Sequence, residues 1–88
     1  MASYRLRIKK SAAKELETIP RKADRQRIAR RIQALAEDPR PHGCKKLSAS
    51  ERYRLRQGNY RIVYAIEDDE LVVTVIRIAD RKGVYRGL

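Results

Sequence analysis

The chain has 88 residues, which is enough for one small domain with a single hydrophobic core. Lysine and arginine number 22 against 11 aspartate and glutamate residues, so the formal net charge is +11. Such an excess attracts polyanions: nucleic acid is the first class of partner to consider, an anionic protein the second and a membrane surface the third. With 42% hydrophobic residues, the chain is expected to fold rather than remain disordered.

Several kinds of protein are disfavoured by the sequence. Its one cysteine, Cys44, allows no internal disulfide and is typical of a reducing compartment. No apolar run approaches the roughly 18 residues of a membrane span, and residues 1–10 lack the hydrophobic stretch of a signal peptide. The only histidine, His42, is interpreted as structural, and no metal-ligand or cofactor motif is visible. We therefore expect a cytoplasmic protein without membrane association, forming one domain over residues 1–88.

The N-terminal half predicts a strand followed by a helical hairpin. Residues 4–8 alternate apolar and charged side chains, which is typical of a half-buried strand. Ser11 is predicted to cap a short helix, whose apolar face would consist of Ala12, Leu16 and Ile19. Pro20 then separates this helix from a second one, from Lys22 to about Glu37. The stripe expected to face the core of the second helix is Ile28, Ile32 and Leu35.

The C-terminal half predicts a meander of three antiparallel strands after a loop over residues 38–43. The strands are expected at Arg52–Arg56, Asn59–Glu67 and Leu71–Ala79. Two-residue turns are expected at Gln57-Gly58 and at Asp68-Asp69. The predicted class is therefore α+β, with an N-terminal strand, a helical hairpin and a three-stranded antiparallel meander, and with the helices packed on one face of the sheet.

These turns fix a register for the sheet. The first turn places Arg54 opposite Arg61 and Arg52 opposite Val63. The second places Arg61 opposite Ile76 and Ile62 opposite Val75. One face then carries the residues that would form the core: Tyr53, Leu55, Ile62, Tyr64, Ile66, Leu71, Val73 and Val75. The other, which we call the arginine face, is predicted to be open and carries Arg52, Arg54, Arg56, Arg61, Thr74 and Ile76.

The arginine face has the chemistry of a phosphate-binding surface. Guanidinium groups are permanently charged and bind two phosphate oxygens at once, whereas like charges on neighbouring strands repel unless an anion lies between them. The C-terminal segment 80–86 is expected to end near this face, where it would add Arg81, Lys82, Tyr85 and Arg86. Nearby positive charge favours the phenolate form of a tyrosine, so Tyr85 is a candidate general base.

The sequence resembles the RelE/ParE superfamily of bacterial and archaeal toxins over nearly its whole length. The resemblance depends on the basic helical hairpin and on three motifs: Tyr53-Arg54-Leu55-Arg56, Asn59-Tyr60-Arg61-Ile62-Val63-Tyr64 and Asp80-Arg81-Lys82-Gly83-Val84-Tyr85. The last two motifs are specific in combination, although either alone would be a weak signal.

The resemblance implies a ribosome-dependent endoribonuclease that needs no metal. RelE-type members cut the mRNA codon in the ribosomal A site: the ribose 2′-hydroxyl attacks the adjacent phosphate and leaves a 2′,3′-cyclic phosphate and a 5′-hydroxyl. By motif, Arg54 and Arg61 would neutralise the phosphate, Arg81 would stabilise the leaving 5′-oxygen, and Tyr85 would act on the 2′-hydroxyl or stack on a base. The residues that would bind the RNA backbone are Arg52, Arg56, Lys82 and Arg86.

Two other functions remain open at this point. A ParE-like member would inhibit DNA gyrase and cut no RNA, and a basic RNA- or ribosome-binding protein would perform no chemistry. Family members often have lysine where this chain has Arg54, and arginine is a poor base, so the identity of the general base is open as well. The resemblance also implies an antitoxin partner whose helix wraps the basic surface.

Overall fold

The fold is a five-stranded sheet with two helices, in a computed structural model that describes residues 3–47 and 51–80. In chain order the elements are β1 (Arg5–Ile8), α1 (Lys10–Glu17), α2 (Lys22–Ala34), β2 (Lys45–Lys46), β3 (Arg52–Gln57), β4 (Tyr60–Glu67) and β5 (Val72–Asp80). The strand order is β1-β5-β4-β3-β2, with β1 parallel to β5 and the other pairs antiparallel. The predicted α+β class is confirmed, and β2 is an edge strand that the sequence did not reveal.

The predicted stripe of α2 is confirmed, because Ile28, Ile32 and Leu35 are 0%, 3% and 0% exposed. The predicted start of α1 is wrong. The helix begins at Lys10 rather than after a Ser11 cap, and its N-cap, Lys9, makes no side-chain hydrogen bond. The cause is strand pairing: the Lys9 amide donates to the Val75 carbonyl at 2.9 Å, so the chain can turn into the helix only from that point.

The first hairpin has a different loop from the one predicted. Its two loop residues are Gly58 and Asn59, so Arg56 lies opposite Arg61, Arg54 opposite Val63 and Arg52 opposite Ala65. Gly58 has a φ of +60°, and the first loop position of a II′ hairpin is the one that glycine favours. The correction moves the pairing by two residues. Side chains alternate with a period of two, so every residue of β3 and β4 keeps its predicted face.

The second hairpin departs further from the prediction. Its turn covers residues 68–71, and Leu71 is 39% exposed with a φ of +54°, so it is not a core residue. A bulge then leaves Ile76 as an extra residue on β5. As a result Ile62 pairs with Ile78 rather than Val75, and Arg61 pairs with Ala79 rather than Ile76. A bulge of this kind bends the strand and increases its twist locally.

Both helices pack on one face of the sheet, as predicted. The core joins Ala12, Ile19 and the α2 stripe to seven predicted residues of the sheet, namely Tyr53, Leu55, Ile62, Tyr64, Ile66, Val73 and Val75. Tyr4 and Leu6 pack against this core, whereas Ile8, predicted as part of the half-buried strand, is 43% exposed. Neither helix in the described parts of the chain is long and apolar enough to cross a membrane.

A polar cluster of Tyr4, Arg40 and Asp68 connects the residue before β1, the loop between α2 and β2, and the turn between β4 and β5. Asp68 accepts hydrogen bonds from the Tyr4 hydroxyl at 2.7 Å and from both terminal nitrogens of Arg40, at 2.8 and 3.2 Å. The Arg40 guanidinium also lies over the Tyr53 ring, 5.2 Å from its centroid. These bonds from Arg40 lower the pKa of Asp68 to about 2 and raise that of Arg40.

Replacing Asp68 with asparagine is therefore expected to lower the melting temperature, and to do so more at neutral pH than in acid. A carboxyl whose pKa is lowered by folding contributes stability above its ordinary pKa, and that contribution is lost as the pH falls from about 4 to about 2. Because the carboxylate is solvent-exposed, solvent screening makes the effect modest. Thermal unfolding of both proteins between pH 2 and 7 measures it. A difference in melting temperature that does not shrink toward pH 2 would contradict this account.

Candidate nucleic-acid interface

The sheet face opposite the helices carries an unusual density of cations. Register places three arginines of β3, one of β4 and two of β1 on this helix-free face: Arg52, Arg54, Arg56, Arg61, Arg5 and Arg7. At one end of it lies a cavity of about 240 Å³, which we call the cationic cavity, lined by Gly43, Lys45, Arg54, Arg56 and Arg61. These described residues contribute four positive charges and no carboxylate to the cavity, which therefore suits a phosphate group.

Arg61 is the most enclosed of the cavity's cations. It lies on the central strand β4 and is only 8% exposed, so the residue is largely withdrawn from solvent. The same face also carries Val63 and Val72, which are 5% and 4% exposed. The prediction of an open arginine face is therefore wrong at the centre of that face. A guanidinium fixed among other cations and partly withdrawn from water interacts with a phosphate more strongly than one at the surface.

The structure separates the predicted β3 arginines into two groups. Arg54 and Arg56 line the cationic cavity together with Arg61, and Arg56 lies directly opposite Arg61 in the sheet. Arg52 pairs instead with Ala65 and lies about 13 Å along the strand from Arg56. The predicted register placed Arg52 opposite Val63, next to the pair of Arg54 and Arg61, and the observed register moves it two residues farther from Arg61. Its position suits contact with a more distant part of an RNA backbone.

One residue of the cavity, Lys45, was missed by sequence reasoning. It belongs to β2, where it lies directly opposite Arg54, and the next residue along, Lys46, lies opposite Tyr53. Two residues are too few to produce a periodic pattern. Two features of the sequence could have indicated this strand. One is the glycine at position 43, which has a φ of +94° and turns the chain into the strand, and the other is the pair of lysines, a residue type common on edge strands.

Near its end, just before the C-terminal segment 80–86, β5 contacts α1. Glu15 accepts a hydrogen bond from the Ile78 amide at 2.9 Å, and its other oxygen lies 3.7 Å from the Nε of Arg77. β1 pairs with β5 only as far as Val75, so within the described part of the chain Glu15 binds a backbone amide that lies beyond the end of β1. The remaining predicted site residues lie outside the described residues: Arg81, Lys82, Tyr85 and Arg86.

Within residues 3–47 and 51–80, histidine, cysteine and carboxylate side chains form no group of three or more that could hold a metal ion. Tyr64, predicted as a core residue, lies within the core, and Tyr60 packs at its margin. Tyr64 is 0% exposed and Tyr60 is partly buried, so neither ring is a stacking platform for a base on the helix-free face.

Comparison with known proteins finds a family model and a sequence relative that each match nearly the whole chain. A family model described as "ParE toxin of type II toxin-antitoxin system, parDE" matches residues 6–85. Toxin RelE of Mycobacterium tuberculosis is 32% identical over 84 residues, which cover 94% of this chain and 87% of that protein.

Solved structures agree with the sequence relatives. The archaeal RelE–RelB complex of Pyrococcus horikoshii matches with a TM-score of 0.80 and 28% identity, covering 90% of this chain and 96% of the other. The E. coli RelBE toxin–antitoxin complex matches with a TM-score of 0.75 and 28% identity, covering 89% and 96%. The first is described as a RelE–RelB complex and the second as a toxin–antitoxin complex.

Proposed function

The chain belongs to the RelE/ParE superfamily of toxins of type II toxin–antitoxin systems, and we propose that it is a ribosome-dependent endoribonuclease that cleaves mRNA in the A site. The observation that carries the proposal is the cationic cavity, because a site that cuts a phosphodiester must neutralise the phosphate. A gyrase inhibitor or a simple RNA-binding protein has no need to concentrate and partly bury cations around one cavity.

The proposed reaction is an attack within the RNA itself. The ribose 2′-oxygen forms a bond to the adjacent phosphorus and its proton passes to a base. The bond from phosphorus to the 5′-oxygen breaks, and that oxygen takes up a proton from water to become the 5′-hydroxyl. The phosphate gains negative charge as the reaction proceeds, and Arg54 and Arg61 stabilise that charge from fixed positions. Arg56 contacts the phosphate at the rim, and Arg52 contacts the RNA backbone farther along β3.

The rest of the reaction is assigned by resemblance to the C-terminal segment that follows β5. Arg81 stabilises the leaving 5′-oxygen, Tyr85 acts on the 2′-hydroxyl, and Lys82 and Arg86 bind the RNA backbone. The strand that precedes this segment is held to α1 near its end, through the contacts of Ile78 and Arg77 with Glu15. No cofactor is required by this scheme, since guanidinium groups supply the electrostatic stabilisation.

A second part of the proposal concerns partners and location. The chain acts in the cytoplasm on the ribosome and its mRNA, and a cognate antitoxin restrains it. The net charge of +11 favours an antitoxin segment that is acidic and lies against the basic surface. We treat residues 1–88 as one toxin domain, since the family match covers residues 6–85.

A translation extract with a reporter mRNA provides the test. Primer extension maps new 5′ ends after addition of the protein, beside Arg81→Ala and beside Arg30→Ala, which removes the same charge from an exposed position of α2. We expect cuts within A-site codons with the wild type and with Arg30→Ala, and their loss with Arg81→Ala. A copy of the message without a start codon should stay intact.

The outcomes separate the candidate functions. Cutting of untranslated message would contradict ribosome dependence. Intact message with normal translation would contradict the nuclease altogether and would direct attention to DNA gyrase, the target that the resemblance gives for ParE-like members. Blocked translation without new 5′ ends would indicate a non-catalytic ribosome-binding protein.

A further inference from the structure

The short edge strand β2 places two neighbouring lysines in opposite directions. Lys45 pairs with Arg54, whose side chain lies on the helix-free face, and Lys46 pairs with Tyr53, whose side chain lies in the core face. Both lysines are exposed, and both carry the same charge. Lys45 alone of the two lines the cationic cavity.

The position of Lys45 is fixed on both sides along the chain. Before it, the Cys44 amide donates to the Pro41 carbonyl at 3.1 Å, and the Cys44 side chain packs against the core. After it, the Leu47 amide donates to the Arg52 carbonyl at 2.9 Å and continues the ladder to β3. A lysine held only by a flexible loop would not be tied in this way, so Lys45 has a defined place beside Arg54.

Geometry brings Lys45 within reach of any phosphate that Arg54 contacts. Residues directly opposite each other in an antiparallel pair have Cβ atoms about 4.5–5.5 Å apart. The ammonium group is a compact charge with three donors on a flexible stem, whereas guanidinium is a rigid planar fork. The lysine can therefore follow a phosphate oxygen as the phosphorus changes from four to five ligands, which the fork does less well.

We propose that Lys45 is a further catalytic residue, whose ammonium group contacts a non-bridging oxygen of the phosphate bound by Arg54 and Arg61. The inference rests on the proposed nuclease function for its place in the reaction. The anion site itself does not depend on that function, because it requires only that the cationic cavity accept phosphate.

The first test compares Lys45→Ala with Lys46→Ala in the translation extract. We expect Lys45→Ala to lower the maximal rate of cleavage by about 10- to 100-fold, less than the roughly 10²- to 10³-fold typical of a rigidly preorganised group, because the exposed lysine has a flexible stem. Lys46→Ala removes the same charge from the same strand and should stay within about 2-fold of the wild type. Lys45→Arg should recover part of the loss, since it restores the charge but not the shape. Equal rates for Lys45→Ala and Lys46→Ala would overturn the inference while leaving the nuclease intact.

The second test is independent of cleavage. Inorganic phosphate is titrated into isotopically labelled protein, and the backbone amide shifts of Lys45, Arg54 and Arg61 are followed by NMR. Saturable shifts confined to the cavity in the wild type, weakened at least 5-fold by Lys45→Ala and not by Lys46→Ala, would support the site. Shifts that do not saturate, or that Lys45→Ala leaves unchanged, would overturn it. If phosphate binds as expected but no message is cut, the proposed function fails and the anion site stands.

Discussion

Arg61→Gln is expected to lower the rate of mRNA cleavage by about 10²- to 10³-fold, the effect typical of removing one preorganised group that stabilises transition-state charge. Arg61 is 8% exposed and lies on the central strand, so it is held in position before substrate arrives. Glutamine keeps much of the side-chain length and removes the charge. The measurement is the single-turnover rate of A-site cleavage in the translation extract.

Arg61→Lys distinguishes charge from geometry. Lysine keeps the positive charge but cannot bind two phosphate oxygens through a planar fork, so most of the loss should persist. The control is Arg30→Gln, an equal change of charge at an exposed position of α2. The idea would fail if Arg61→Gln, with an unchanged melting temperature, cleaved message as fast as this control.

The faces of β3 and β4 could be predicted from sequence although their register could not. Apolar and charged residues alternate from Arg52 to Arg56 and around Arg61. Because one face of the sheet is buried, placing the arginines on that face would cost free energy. Alternation is unchanged by a shift of two residues, so it cannot tell a Gln57-Gly58 loop from a Gly58-Asn59 loop. The conformation of Gly58 decides between them, and conformation is not written in the hydrophobic pattern.

The register of β5 and the presence of β2 could not be predicted, because both depend on local geometry that leaves no periodic pattern in the sequence. The bulge that leaves Ile76 unpaired reverses the alternation partway along β5, so a single register cannot fit the whole strand. β2 consists of two residues, Lys45 and Lys46, and is defined by their pairing with the edge of β3. The candidate site shows the consequence: its arginines were predicted, and the lysine beside them was not.

Burial of Arg61 was also beyond sequence reasoning. Alternation placed it correctly on the face away from the helices, and the natural conclusion was an exposed side chain. The structure instead leaves it 8% exposed, with Val63 and Val72 also buried on the same face. An arginine enclosed in this way departs from the usual preference for charged residues at the surface, and departures of that kind concentrate at functional sites.

Tyr64→Ala should be the most destabilising substitution considered for this chain. Tyr64 is 0% exposed, its ring stacks on Tyr53 at 5.9 Å between centroids, and its hydroxyl donates to the Pro39 carbonyl at 2.8 Å. Truncating a buried aromatic to alanine costs about 3–5 kcal/mol, a large part of the roughly 5–15 kcal/mol by which small domains are stable. Urea unfolding followed by circular dichroism measures the change.

Tyr64→Phe isolates the hydroxyl from the ring. Burial raises the pKa of this phenol above its ordinary range, so it remains a proton donor through the accessible pH range. Removing it leaves the Pro39 carbonyl without that donor, at a cost of about 1–3 kcal/mol. Equal losses from the two substitutions would contradict the packing account. Because Tyr64 lies on the face away from the cationic cavity, cleavage per folded molecule should stay near the wild-type rate in Tyr64→Phe, and in this respect the variant differs from Arg61→Gln.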